Sequence, residues 1–416
     1  MSKLEPTAFI RPPKIPSKFD VIPIHASDRG TFKTCRRKWE WSSPMKMNLV
    51  PNVEQTGIDI RLWFGSGVHY ALAQYYDPVI QRDPVETFKS WWQLQYHGGL
   101  VTQELAELSY DRRPKRQGVV FKVDGLKDML PVSEDLEAYE DHLDLGIGML
   151  EFYKEYAERK DNFAVICEER TFSVPIVDRE GNVLMMVDPR DGVVKEVHLR
   201  GTQDAIIQDL SSGQYGIMEH KTAVSIDENY HRKLEKDEQC TTYMYAAECE
   251  ARLHGLEYDR VSFVLYNALR KAYPKPPTSV RNGLFSVNRQ TESTTYEMLM
   301  AYIQQNGLEP IVFGDSEIGI EPDLKLKAYV DYVKEQGDEQ FIVRTPVRRN
   351  RAEIESCGER AYMEALDMLD SPRIYPNPTG AYSCLNCIFR VPCIARDDGS
   401  SWEMILQDNF ESNWTR

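Results

Sequence analysis

Two carboxylates and a lysine stand out first. Asp204 closes the run Gly201-Thr202-Gln203-Asp204, and Glu219-His220-Lys221-Thr222 follows after fourteen intervening residues. Both segments have strand-like composition, and Ser211-Ser212-Gly213 between them marks a turn. Side chains alternate along a strand, so Glu219 and Lys221 share one face while the His220 ring takes the other. A hairpin through Ser211–Gln214 would bring Asp204 near Glu219. Two carboxylates and an ammonium converging at a sheet edge suit phosphodiester hydrolysis. Hard oxygen ligands hold a divalent cation that polarises phosphate and water, and the lysine orients or activates the attacking water. His220 offers such a cation its backbone carbonyl, not its ring. Taken alone, a Glu-x-Lys triplet is more often a same-face ion pair on an exposed strand, so the weight rests on its company.

The elements that must position these groups are legible along the chain. Residues 1–50 read as an extended arm and then a short helix around Cys35 and Trp39. Helical spacing runs from Arg61 through Tyr76 and from Pro84 to Tyr96, and a long acidic amphipathic helix from about Ser133 to Arg159. In that helix Tyr139, Leu143, Leu150 and Tyr153 fall near one stripe. Residues 99–130 are polar and basic, an expected surface excursion. Phe163–Ile176, Val183–Val187, Val194–Leu210 and Tyr215–Lys221 read as strands, with a turn at Gly181. A helix over His231–His254, a buried strand over Arg260–Tyr266, and helices over 294–305, 323–335 and 350–370 complete the pattern. The expected fold class is α/β: a mixed central sheet flanked by N- and C-terminal helices. It divides into a helical region 1–160, a core 161–290 and a helical region 291–416.

On these residues the chain resembles the PD-(D/E)XK nucleases, in their RecB-like branch. Gly-x-x-Asp followed by Glu-x-Lys-Thr looks like the core motif. Gln239-Cys240-Thr241-Thr242-Tyr243 matches the branch's Q-x-x-x-Y, with both ends on one helix face. Gly65-Ser66-Gly67-Val68-His69 resembles its G-x-x-x-H, whose histidine contributes to metal binding, and Glu169-Arg170-Thr171-Phe172 resembles the E-x-x-F strand that opens the core. Glu219 stands where many members have aspartate, and the family accepts both. The resemblance implies a metal-dependent DNA nuclease using Mg²⁺ or Mn²⁺. Asp204, Glu219, Lys221, Gln239 and Tyr243 would be catalytic; His69, Asp204, Glu219 and the His220 carbonyl would be metal ligands. Without its companions, His69 on an apolar helix would read as a packed core histidine. The stretch Val261–Pro277 and the Asn282–Ser286 run resemble virus-encoded members, which suggests a phage or mobile-element setting.

Cys384-Leu385-Asn386-Cys387 and Cys393 form C-x2-C-x5-C near the C-terminus, and Cys35, flanked by Arg36-Arg37-Lys38, is the natural fourth ligand. Four thiolates fit either a four-iron cluster or zinc. One early and three late cysteines resemble the iron–sulfur nucleases of the RecB-like branch, AddB-type subunits and the CRISPR-associated adaptation exonuclease. That likeness implies a 4Fe-4S cluster acting as a structural staple. Cys167, Cys240, Cys249 and Cys357 lack partners at such spacing and read as free thiols.

Composition bounds the rest. The 416 residues carry 50 basic and 65 acidic side chains, a net −15, so any nucleic-acid contact must come from local patches. Candidate patches are Arg36–Lys38, Arg112–Arg116, Arg270-Lys271 with Lys275, and Arg348-Arg349 with Arg351; each alone reads first as a solvated run. No apolar run is long enough to span a bilayer and no secretion signal is evident, so a reducing cytoplasm is expected. No G-x-x-x-x-G-K-[ST] occurs, so the chain is not its own ATP-driven motor, and if it processes long duplexes a helicase or other complex subunit must act in trans. The expected partner is DNA, met at ends or single strands. The expected function is exonuclease action in recombination, repair or DNA degradation. The alternatives are a CRISPR-adaptation-type trimming nuclease and a non-catalytic DNA-end-binding or assembly subunit.

Overall fold

The computed structural model describes residues 20–52, 60–97, 136–370 and 372–412. The whole expected 99–130 excursion, with the basic run Arg112–Arg116, lies outside them. The first strand, β1 (Ile22–His25), leads into α1 (Ala26–Thr34), α2 (Arg36–Ser42) and a short β2 (Leu49–Pro51). Helices α3 (Ile60–Tyr75), α4 (Pro84–His97) and α5 (Leu136–Lys160) follow, then β3 (Phe163–Pro175), β4 (Met185–Val187), β5 (Val194–Asp209) and β6 (Tyr215–Ala223). Helices α6 (Glu228–Leu234) and α7 (Glu238–His254) cross over to β7 (Phe263–Arg270). Next come α8 (Tyr296–Gln305), α9 (Glu309–Phe313), α10 (Leu324–Gln336) and β8 (Ile342–Val347). The chain closes with α11 (Arg351–Leu369), α12 (Ala381–Leu385), α13 (Arg390–Asp398), α14 (Trp402–Asn409) and β9 (Phe410–Ser412).

The central sheet is mixed, as expected, with the path β1-β5-β6-β7-β8 and with β3 and β4 also on β5. β6 and β7 run parallel across the helical crossover, while β5–β6 and β7–β8 are antiparallel. Helices cover both faces. Phe64, Val68, Leu72, Phe88, Trp92, Leu150 and Tyr153 from α3, α4 and α5 pack on one. Cys240, Met244 and Ala247 of α7, with Ile354 and Ala365 of α11, pack on the other. A smaller core joins α8, α9 and α10 around Phe285, and another gathers Trp41, Phe389, Leu406 and Phe410 beside Cys387 and Cys393.

Several details differ from the sequence reading. β1 was read as part of an extended arm, because four residues including a proline carry no alternation; it pairs in parallel with Val197–Arg200 of β5. The helix expected over His231–His254 is two helices: the first ends at Leu234, and Asp237 caps the second, accepting from the Cys240 amide at 2.8 Å. The strand expected over Arg260–Tyr266 lies at Phe263–Arg270. β8 was missed, and it draws the sheet beyond residues 161–290, as β1 does. Cys35 lies not within a helix but in extended backbone between α1 and α2.

Candidate functional site

One side of β5 is filled along its length by β3, which pairs with His198–Asp209. The other side is shared: β1 takes Val197–Arg200 and β6 takes Ala205–Gln208. Gly201–Asp204 therefore occupies the gap between them. The β5–β6 ladder stops at Ala205↔Met218, so Asp204 and Glu219 are the first residues of a fork where the strands part. The carboxylates border this fork and do not lie at a sheet edge as the sequence suggested, because β6 is an inner strand flanked by β5 and β7. Asp204 Oδ2 accepts from the His220 amide at 2.7 Å. Glu219 is only 1% exposed and is ion-paired with Lys221 through Oε1. That burial removes the bland alternative of a pair on an open strand, since a buried ion pair must be closely supported to survive desolvation.

The support comes from α7. Gln239 Nε2 donates to Glu219 Oε1 at 3.0 Å and to Tyr243 Oη at 2.7 Å. The two residues are one helical turn apart, which is why the Q-x-x-x-Y spacing can place both on the same carboxylate side of α7. Gln203, fully buried beside Asp204, ties β5 to the same helix by donating to the Tyr243 carbonyl at 2.9 Å. Phe172 of the E-x-x-F run packs edge-on to Tyr243, with centroids 5.9 Å apart. A side chain at Gly201 would meet the Phe172 ring at 2.6 Å, so glycine there lets β5 pass over it. Glu169, between the pairs Glu168↔Ala205 and Arg170↔Gln203, stands opposite Asp204 with φ at 40°. That is a left-handed backbone costly for a non-glycine residue, and such strain gathers at functional sites.

His69, from α3, brings Nδ1 within 3.5 Å of Asp204 Oδ2. In the same G-x-x-x-H run, Gly67 is the close-packed glycine, since a Cβ there would meet the Trp91 ring at 2.8 Å. The His220 ring turns away from the carboxylates, as strand alternation requires, and stacks on Tyr76 with centroids 5.7 Å apart. Burial pulls its pKa down to about 3, against the opposing pull of Asp204, so the ring is neutral. Among the described residues, no three His, Cys, Asp or Glu side chains converge tightly enough to hold an ion as they stand. The donor chemistry nevertheless suits a hard divalent cation: the Asp204 and Glu219 carboxylates border the fork, and the His69 imidazole lies beside Asp204.

The sequence reading missed the residues behind β6. Asn267 of β7, Arg344 of β8, Tyr153 and Asp161 form a buried polar group under His220. The one available signal was an asparagine inside the apolar run Leu265–Leu269. The expected basic patches are largely used internally. Arg349 donates to the Leu234 carbonyl and to Thr241, Arg351 pairs with Glu248 and Glu355, and Arg270 holds the carbonyls of Gln290 and Glu292. Arg36 pairs with Asp367 and Arg37 with Asp397.

Cys387 and Cys393 pack against the Trp41–Phe389 core. Burial raises the Cys387 thiol, opposed by a hydrogen bond from the Phe389 backbone and by Lys38. Arg37 Nη1 lies 3.4 Å from Cys393 Sγ. Cys384 is exposed, one turn before Cys387, whose amide donates to the Cys384 carbonyl at 3.2 Å. Among the described residues the cysteines do not form a group closed around a metal. No helix among the described residues is long and apolar enough to cross a membrane. A family model described as the PD-(D/E)XK nuclease superfamily matches residues 26–393. No curated protein matches the chain.

Proposed function

The chain belongs to the PD-(D/E)XK nuclease superfamily, and from that premise we propose that it is a metal-dependent DNA exonuclease of the RecB-like branch. The observation that carries this reading is the Gln239 amide, which joins Glu219 to Tyr243 and wires the Q-x-x-x-Y helix into the carboxylate fork. Asp204, Glu219, the His220 carbonyl and His69 would hold Mg²⁺ or Mn²⁺. When bound, the cation supplies polarisation of the scissile phosphate and of the attacking water.

This chain's own residues do the rest. The His220 amide and His69 hold Asp204 in place, and Gln239 holds Glu219. Lys221, partly exposed at the mouth of the fork, sets its ammonium beside the carboxylate and faces the phosphate oxygens as negative charge builds on them. One P–O bond forms to the water oxygen, one breaks, and the leaving oxygen takes up a proton. Cys35, Cys384, Cys387 and Cys393 would hold a 4Fe-4S cluster whose role is to clasp the chain's two ends. The short β2–β9 ladder, pairing Leu49–Pro51 with Phe410–Ser412, already joins the same two regions. Action at DNA ends or single strands, beside a helicase or other subunit in a phage or mobile-element setting, completes the reading.

The test is cleavage of end-labelled single- and double-stranded DNA by the full chain in Mg²⁺ and in Mn²⁺. Loss of nucleotides from ends in wild type, absent in Asp204→Ala, is the expected result. Binding of ends without cleavage in either metal would favour a scaffold subunit instead.

A further inference from the structure

We infer that Asn267 and Arg344 are positioning residues that set the divalent-cation affinity of the site through the His220 ring; this rests on the metal-dependent reading above. The argument starts at the far end. Asp161 Oδ1 accepts from Arg344 Nη1 at 2.5 Å, and Arg344 Nη2 donates to the hydroxyls of Tyr76 and Tyr153 at 3.2 and 3.1 Å. The remaining Nε donates to Asn267 Oδ1 at 3.0 Å. A guanidinium can only donate, so it fixes which way the Asn267 amide faces. The amide nitrogen must then point the other way, and it lies 2.7 Å from His220 Nδ1 and 2.9 Å from Tyr153 Oη.

Asn267 Nδ2 donates, so His220 Nδ1 must accept. The ring proton is therefore on Nε2. The register confirms how tightly the two residues are set, because His220 and Asn267 are directly paired across the parallel β6–β7 ladder. The ring, locked by this bond and by the Tyr76 stack, fixes the backbone of a residue whose amide binds Asp204 at 2.7 Å. A continuous line thus runs Asp161–Arg344–Asn267–His220–Asp204, through groups that are buried or nearly so. None of the first three faces the fork. They act on the carboxylate only by holding the peptide that holds it, which is how remote partners tune a metal site.

The test has two arms on the full chain. Long-range ¹⁵N spectra of ¹⁵N-histidine-labelled wild type, with His220 assigned by its loss in His220→Gln, should show the Nε2–H tautomer at neutral pH. A ring protonated on Nδ1 would overturn the inference, with a thermal melt of His220→Gln confirming that the variant used for the assignment is folded. In the second arm, Mn²⁺ binding is measured for wild type, Asp204→Ala, Asn267→Leu and Arg344→Lys, with thermal melts alongside. Asn267→Leu keeps the volume but loses the amide, and should weaken Mn²⁺ binding by roughly ten- to a hundred-fold. Arg344→Lys should weaken it in the same direction. Wild-type affinity in a folded Asn267→Leu would defeat the inference. Equal Mn²⁺ binding by wild type and Asp204→Ala would instead defeat the metal-dependent reading on which it stands.

Discussion

Gln239 Nε2 lies 3.0 Å from Glu219 Oε1, so a residue on the crossover helix completes the surroundings of a carboxylate on the preceding strand. The contact is made at the helix N-terminus, one residue after Glu238, which is itself ion-paired with Lys33 of α1. Gln239→Ala would remove a hydrogen bond to a charged, buried group, worth about 1.5–3 kcal/mol. Cation affinity is expected to fall about ten-fold or more in titration calorimetry, with a smaller loss in Tyr243→Phe. An unchanged affinity in Gln239→Ala would separate the motif from the site.

Lys221→Ala separates chemistry from architecture. An ammonium that stabilises charge appearing only during attack should cost about two orders of magnitude in turnover when removed. DNA affinity should change little. Single-turnover cleavage, measured beside DNA binding and melting, decides the point. Wild-type cleavage by this variant would remove Lys221 from the mechanism.

Asp204→Ala and Glu219→Ala are expected to abolish cleavage while leaving DNA binding in place. His69→Ala should be milder, because its ring approaches Asp204 at 3.5 Å from a separate helix. Excess Mn²⁺, which accepts mixed imidazole and carboxylate donors, should restore part of its activity. If all three variants cut like wild type, the fork is not the active centre.

Anaerobically purified protein is expected to be brown, with a broad absorption at about 400 nm from thiolate-bound iron. Metal analysis of the same sample gives the decisive number. Stoichiometric zinc without iron would replace the cluster by a zinc staple. Cys384→Ser should lower the melting temperature under either metal.

Asp28 supplies a pH-dependent term outside the carboxylate fork. Burial pushes its carboxyl up to about 6, opposed by the Ser43 hydroxyl that donates to it at 3.0 Å. Raised above its unfolded value of 3.8, the group's stabilisation is complete below about pH 4 and lost as pH rises through 6. Asp28→Asn should therefore gain stability relative to wild type between pH 4 and 7, by about 1–3 kcal/mol. Parallel melting curves with no pH-dependent difference would show that the carboxyl titrates normally.

The parts of the site that repeat a local rule were legible in the sequence. Alternation put Glu219 and Lys221 on one face and the His220 ring on the other, and the helical turn put Gln239 beside Tyr243. Asn267 and Arg344 were not legible, because each is a single polar residue whose meaning comes from a strand partner far away in sequence. β8 was passed over since Arg344-Thr345-Pro346 breaks an apolar alternation, yet Arg344 is there to reach Asn267 and Asp161. The basic runs misled for the reverse reason. Their charge is visible in sequence, but the carbonyls and carboxylates that occupy it are not.

The division of one flank of β5 between β1 and β6 also constrains how the protein is born. The β5–β6 hairpin can close as soon as its turn has left the ribosome, since its partners are sequence neighbours. β1 is synthesised before either of them, but it has nothing to pair with until β3 and then β5 itself have followed it. A parallel ladder between such distant segments is slow to form. Arg344 arrives later still. The carboxylate fork is therefore among the last features to be fastened during synthesis, and a chain interrupted before residue 344 would carry the motif residues without their supports.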